Sequence, residues 1–299
     1  MREVQNNVDF LQALGITSIS ASQLSRKNNR LDPEVLQAIL CDLKTLLHRL
    51  RSPMSARLGI VKIIDSTTMS LCLNKYKWAI FRKSKAGVKL HLRVTFADPD
   101  HVYPDKVVVT PAKPADHTQM DVFIDETDAT YLMDRGYLDY GKYDNYCKLG
   151  IRFVSRLKNN ALIEEVEELP VAARSNILRD VKVILGKGKK RMTHVLRMIE
   201  TTDDKGKLVR IITNRFDLSA DEIGDLYRSR WEIETFFQWV KQHLKLTRFY
   251  GTSEQAVINQ IWICLIAYCL DLLIKLDLET NKTLSELVDI LKTLLWKPA

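Results

Sequence analysis

Tyr227-Arg-Ser-Arg-Trp-Glu-Ile-Glu-Thr-Phe-Phe-Gln-Trp-Val-Lys241 is the stretch on which the reading of this 299-residue chain turns. Its apolar spacing is helical. Ser219-Ala-Asp-Glu222 just upstream has the form of a capping box, so one long helix is predicted from Ser219 to about Lys245. At about 100° per residue, Tyr227, Arg230, Glu234 and Lys241 fall within about 60° of one another. Leu226, Phe237 and Leu244 run alongside and can anchor the helix on a core. An acid, a guanidinium, a phenol and an ammonium on one stripe suit a phosphate site. The acid can hold a metal ion, and arginine can grip phosphate with two N–H groups. Arg230 and Glu234 are equally spaced for a surface salt bridge, and from spacing alone that reading is the better one. Glu232 points about 200° away and should not serve the same site.

Upstream lie two aspartates that follow apolar runs. Asp65 follows Val61-Lys-Ile-Ile64, and Asp134 follows Tyr131-Leu-Met133. The ends of strands are where side chains leave a sheet for a cleft. An acid directly after buried residues is costly unless paired or metal-bound. Taken singly, each could equally be a turn aspartate. Asp121, Asp125, Asp128 and Asp139 compete, but none directly ends an apolar strand.

Strand patterns surround these acids. In Lys89–Phe96, Leu90, Leu92, Val94 and Phe96 alternate with Lys89, His91, Arg93 and Thr95. Val107–Thr110 follows, then a short helix over Asp116–Phe123, the strand Thr130–Met133, a helix from Tyr140 stopped by Gly150, and the strand Ile151–Leu157. From Lys158 to Arg215, short β-like runs separated by Gly186-Lys-Gly188 and Asp203-Asp-Lys-Gly206 predict a small antiparallel insertion. Two apolar helices, about Ser253–Leu276 and Thr283–Leu295, close the chain. Met1–Pro53 reads as a helical prefix, with Ser20/Gln23 as a capping box and Asp32-Pro33 as a second helix start. A prefix packed on the main domain is a better reading of it than a helix-turn-helix.

The net charge of +8 favours a polyanionic partner. Five cysteines without CxxC spacing argue against a disulfide framework or a zinc site and fit a reducing cytosol. The N-terminus has no signal-peptide core, and Ile261–Leu270 is shorter than the ~20 residues that span a bilayer, so no membrane role is expected. Lys75–Lys89 interleaves six cations with Tyr76, Trp78 and Phe81. It reads equally as a DNA-tracking loop or as a solvated loop with tucked aromatics. Lys187, Lys189, Lys190 and Arg191 crowd one turn and are candidates for DNA-backbone contact. His91 and His117 read as structural histidines rather than ligands.

Tyr227-x2-Arg230-x3-Glu234-x6-Lys241 resembles the Y-R-E-K signature of DDE transposases of insertion sequence family four. Ile63-Ile-Asp-Ser-Thr-Thr68 and Asp134-Arg-Gly-Tyr137 resemble the blocks carrying that family's two catalytic aspartates. The resemblance runs from about Gln23 to the C-terminus, and the signature with both blocks in order outweighs the salt-bridge reading. It implies an α/β fold: a ribonuclease H-like mixed five-stranded sheet with flanking helices, a β-rich insertion before the last catalytic helix, and a helical N-terminal prefix. The expected boundaries are 1–58 for the prefix, 59–158 for the first part of the core, 159–215 for the insertion and 216–299 for the rest.

The resemblance further implies Asp65, Asp134 and Glu234 as catalytic metal ligands, and Tyr227, Arg230 and Lys241 as DNA-phosphate contacts. Three carboxylates without a histidine cluster favour Mg2+ or Mn2+, two ions in the two-metal scheme. The implied activity is cleavage and strand transfer of double-stranded DNA at inverted-repeat ends, into target DNA, by a homodimer in a synaptic complex. The implied location is the bacterial cytoplasm at the nucleoid. Some relatives stack a flipped base on a tryptophan of the insertion, and this chain has none between Lys158 and Arg215. Its start near the prefix and its end at Trp296-Lys-Pro-Ala299 suggest a shortened copy. A structure-specific metal-dependent nuclease and a non-catalytic DNA-binding remnant are the alternatives.

Overall fold

The computed structural model describes residues 8–13, 15–50, 58–112, 116–173, 175–244, 246 and 249–294. The first seven residues of the prefix, its segment 51–57 and the Trp296–Ala299 tail lie outside them, as does the side chain of His117. In chain order the helices are α1 (Val8–Ala13), α2 (Ala21–Arg30), α3 (Pro33–Arg49), α4 (Met120–Phe123), α5 (Tyr140–Leu149), α6 (Ala220–Arg228), α7 (Glu232–His243), α8 (Glu254–Asp277) and α9 (Leu284–Leu294). The strands are β1 (Ile60–Leu71), β2 (Ile80–Arg82), β3 (Lys85–Asp98), β4 (His101–Pro111), β5 (Ala129–Met133), β6 (Arg152–Arg156), β7 (Ile163–Leu169), β8 (Ile177–Leu185), β9 (Leu196–Thr202) and β10 (Leu208–Thr213). The chain divides into two compact units, residues 52–67 with 89–236, and residues 1–51 with 68–88 and 237–299.

One mixed α/β sheet organises the first of these units. Its strand order is β3-β1-β5-β6-β10-β9-β8-β7, with β4 beside β3. β1, β5 and β6 are parallel neighbours, and β10 turns the direction antiparallel. All five residues of β5 are buried, as expected for a parallel strand covered on both faces. Phe123, Tyr131, Tyr143, Tyr146 and Phe153 fill the core on one side, with Tyr143 and Phe153 ring centroids 4.4 Å apart. Gly150 ends α5 in the left-handed conformation (φ 69°).

Three features depart from the sequence reading. Asp65 does not end its strand, because β1 runs on to Leu71. What ends near Asp65 is the parallel pairing, at Ile64 with Met133. Second, the antiparallel strands form no separate insertion sheet. β10 pairs with β6, so β7–β10 extend the sheet itself. Third, the polar face of β3 is buried too. Arg93 bonds Asp105 (2.6 Å), Glu126 (2.8 Å) and Asp125, while Lys62 bonds Asp105 (2.7 Å) and Glu126 (2.5 Å). Burying such charges is tolerable only when each is paired and hydrogen-bonded. His91 belongs to this face and meets the Thr110 hydroxyl at 3.1 Å.

The second unit is helical, built on α8. This helix covers the predicted Ser253–Leu276 closely, and it is long and apolar enough to cross a membrane by length and composition. Over half of its most apolar window is buried within the protein. Its Asn259 is satisfied there, donating to the carbonyls of Asn28 in the last turn of α2 (2.7 Å) and of Leu31 just after it (2.8 Å). A helix with such partners belongs to a protein core. The Lys75–Lys89 segment forms a 3-10 turn, β2 and the start of β3 rather than an open loop. Tyr76 is buried, and the Trp78 indole donates to the Thr252 carbonyl (2.8 Å). The tucked-aromatic alternative therefore describes these two residues.

Candidate active site

The site grows from strand register. Ile64 pairs with Met133, and Met133 with Ser155. The next residues along, Asp65, Asp134 and Arg156, therefore stand in one row where three adjacent parallel strands stop pairing. The residues before them are fully buried, whereas these three are partly exposed. Alternation along each strand turns them to the opposite face from Ile64, Met133 and Ser155.

Glu234 reaches the same place from a broken helix. The predicted single helix is interrupted, because α6 ends at Arg228 and a 3-10 turn, Ser229–Trp231, leads into α7. The capping box at Ser219 is as predicted, with Ser219 Oγ accepting from Glu222 N–H and Glu222 accepting from Ser219 N–H. A uniform 100° step does not carry across the turn, yet it still brings Tyr227, Arg230 and Glu234 together. Arg230 donates to Glu234 at 2.7 Å, stands 3.7 Å from Asp65, and has its Cζ 5.8 Å from the centre of the Tyr227 ring.

Electrostatics tie the acids together. Burial pushes the Asp65 carboxyl up to about 6, with Asp134 and Glu234 adding to the rise. The Ser66 N–H, donating to Asp65 Oδ1 at 2.7 Å, and Arg230 oppose it. Burial likewise pushes the Tyr227 phenol up to about 12, with Asp134 adding and Arg230 and Arg156 opposing. The Tyr227 hydroxyl and the Arg230 Nε are buried without a hydrogen-bond partner. Buried donors without a partner are rare in folded proteins and call for an explanation such as a catalytic role or an ordered water or ion.

Among the described residues, no three His, Cys, Asp or Glu side chains close into a cluster tight enough for a metal ion. Arg230 is the cation between Asp65 and Glu234 here. The chemistry of the set still fits a hard divalent ion. All its donors are carboxylate oxygens, and the Asp65 carboxyl, raised chiefly by burial with Asp134 and Glu234 adding to the rise, is a group whose ionised form a nearby cation would favour.

Lys241, Lys187, Lys189, Lys190 and Arg191 are the remaining predicted residues. Lys241 is on α7 but falls in the helical unit, where burial lowers its ammonium pKa. Lys187, Lys189 and Lys190 are exposed on the turn after β8, beside a cavity of about 690 Å³ that Lys158 also lines. Arg191 is held by Glu164 of β7 through two bonds of 2.9 Å, so it is less available than its neighbours. Arg156 went unnoticed in the sequence. The rule that singled out Asp65 and Asp134, a polar residue closing an apolar strand, applies equally to Phe153-Val-Ser-Arg156.

The sequence profile of the family described as "Transposase DDE domain" matches residues 57–270. The probable transposase for insertion sequence element IS5377 of Geobacillus stearothermophilus is 29% identical over 276 residues, covering 90% of this chain and 71% of that protein. The transposase assigned to insertion sequence element IS4SA of Synechocystis sp. is 26% identical over 280 residues, 89% of this chain and 75% of its own. Among solved structures there is a looser likeness to a piggyBac transposase synaptic complex with hairpin DNA. It has a TM-score of 0.47 and 10% identity, over 84% of this chain and 55% of that one. The matched profile spans well over half the chain and includes both aspartates and Glu234, and the chain belongs to the DDE transposases of the IS4 type.

Proposed function

We propose that this protein cuts and rejoins DNA at the inverted-repeat ends of an insertion sequence, with Asp65, Asp134 and Glu234 as its metal-holding acids. The observation that carries the reading is the register row. It sets Asp65 and Asp134 side by side, and Arg230 links Asp65 to Glu234. The strand order β4-β3-β1-β5-β6, with β1, β5 and β6 parallel, supports a ribonuclease H-like core spanning 59–158 and completed by 216–299. Residues 159–215 are then the β-rich addition to it.

Asp65, Asp134 and Glu234 would hold two Mg2+ or Mn2+ ions, which would supply charge stabilisation to the attacking and leaving oxygens. The chain's own residues do the rest. Arg230 and Tyr227 present donors that lack protein partners, suited to phosphate oxygens of bound DNA. Lys241 adds a further phosphate contact. Lys187, Lys189 and Lys190 track the DNA backbone away from the site. Water attacks a phosphodiester at the element end, and the freed 3′-hydroxyl attacks in turn, first within the end and later in target DNA. Two copies of the chain act together, one at each end, in the bacterial cytoplasm.

The test is incubation with a labelled element end and Mg2+. Glu234→Ala should abolish nicked products and leave DNA binding within a factor of about two, since it removes a metal ligand and no cation. Equal cleavage by that variant overturns the assignment.

A further inference from the structure

Arg156 has no role in the reading above, and its surroundings are unusual. It closes β6 in the same register row as Asp65 and Asp134. It is partly buried. Among the described residues, the other arginines of this unit that are at least partly buried each reach a carboxylate. Arg93 holds Asp105, Arg197 holds Asp180 and Arg210 holds Glu200. Arg179 holds Glu165, Arg215 holds Asp217 and Arg230 holds Glu234. Among the described residues Arg156 forms no salt bridge. Its charge is felt by Tyr227 and, in the β9–β10 turn, by Asp203.

A partly buried guanidinium that closes no salt bridge adds little to the stability of a fold and keeps its N–H donors for an anion. The anion it faces is defined by its neighbours. The Tyr227 hydroxyl, buried and without a hydrogen-bond partner, is near enough to feel the charge of Arg156. A phosphodiester offers acceptor oxygens to both groups, and its charge suits a planar fork of N–H donors.

We propose that Arg156 is a further catalytic residue of this site, binding the phosphate of the DNA strand that lies over Asp65 and Asp134. The proposal rests on the reading of the site as a DNA-cleaving one. Arg156 works from the strand side and Arg230 from the helix side, so the phosphate is gripped from two directions. Its positive charge also faces the negative charge that accumulates on the phosphate oxygens as the attacking oxygen approaches.

Arg156→Ala and Arg156→Lys test this in two assays with a labelled duplex end. Binding is measured from 50 to 200 mM salt with Ca2+, and single-turnover cleavage with Mn2+. Arg156→Ala should cut roughly 100-fold more slowly, the scale of losing one charge-stabilising donor. Its log–log salt slope should be shallower by about one, the mark of one lost phosphate contact. Arg156→Lys should regain the slope and only part of the rate. All three proteins should melt together, because the side chain holds no other residue in place. A slope in Arg156→Ala equal to that of the wild type overturns the proposal, whatever the rate. If the wild type binds DNA but cuts none, the cleavage reading fails, and the slope still decides whether Arg156 touches phosphate.

Discussion

Asp65 is a carboxyl whose burial costs stability. Its carboxyl is lifted from 3.8 to about 6 by burial and by neighbouring carboxylates. A group that binds its proton more tightly when folded stabilises the fold fully only below its unfolded pKa. That contribution fades as pH rises through about 4 to 6 and is absent at pH 8. Asp65→Asn should therefore melt higher than the wild type at pH 8 without metal, by an amount on the order of 2–3 kcal/mol, and equally at pH 3.5. Thermal melts at the two pH values check this, and a variant no more stable at pH 8 contradicts it. Arg230 is the same tension seen from the cation. It neutralises Asp65 and Glu234 in the absence of a divalent ion. Arg230→Ala should bind Mn2+ roughly tenfold more tightly when no DNA is present, about one pKa-sized step of interaction energy, while binding DNA more weakly. Calorimetric titration with Mn2+ reads the first effect, and unchanged affinity would remove Arg230 from competition with the ion.

Secondary-structure elements were legible wherever a local rule acts alone. The capping boxes at Ser20 and Ser219, the Asp32-Pro33 helix start and the Gly150 stop all form as their residues dictate. β7 was invisible because its sequence, Ile163-Glu-Glu-Val-Glu-Glu-Leu169, has poor β propensity. Its acids are held from the neighbouring strand and turn: Arg179 takes Glu165 and Glu168, Lys182 takes Glu167, and Arg191 takes Glu164. The same charges guard an edge strand against pairing with another chain. The 3-10 break at Ser229–Trp231 was hidden too, since no glycine or proline marks it. At the lysine turn the backbone demands glycine. Gly186 has φ of 86°, and a Cβ there would lie 2.1 Å from the Lys190 carbonyl oxygen. Gly186→Ala should destabilise the turn by about 1–3 kcal/mol, seen as faster amide exchange at Met192, which bonds the Leu185 carbonyl. Wild-type exchange there would mean that the turn does not depend on glycine.

For the molecule as a whole, the site could be read only in part. Glu234 was singled out by a family signature, and Asp65 and Asp134 by the apolar runs before them. That Asp65 and Asp134 stand side by side depends on the register of β1 with β5, which no local pattern encodes. The buried cluster around Arg93 was missed for the same reason, since its acids come from β4 and from the loop after α4. Charge distribution operates at this scale as well. With a net charge of +8, affinity for DNA should fall steeply with salt. Replacing Lys187, Lys189 and Lys190 together by Glu should weaken DNA binding and leave Mn2+ affinity unchanged. A loss of both would mean that the turn supports the acid site rather than the DNA. The central claim is that Asp65, Asp134 and Glu234 form one cation site. Titration of Mn2+ into the wild type, Asp65→Asn, Asp134→Asn and Glu234→Gln, followed by the loss of the free-ion electron paramagnetic resonance signal, tests it most directly. Each single substitution should weaken binding by at least tenfold, about 1.4 kcal/mol. Three variants that bind Mn2+ as the wild type does would contradict it.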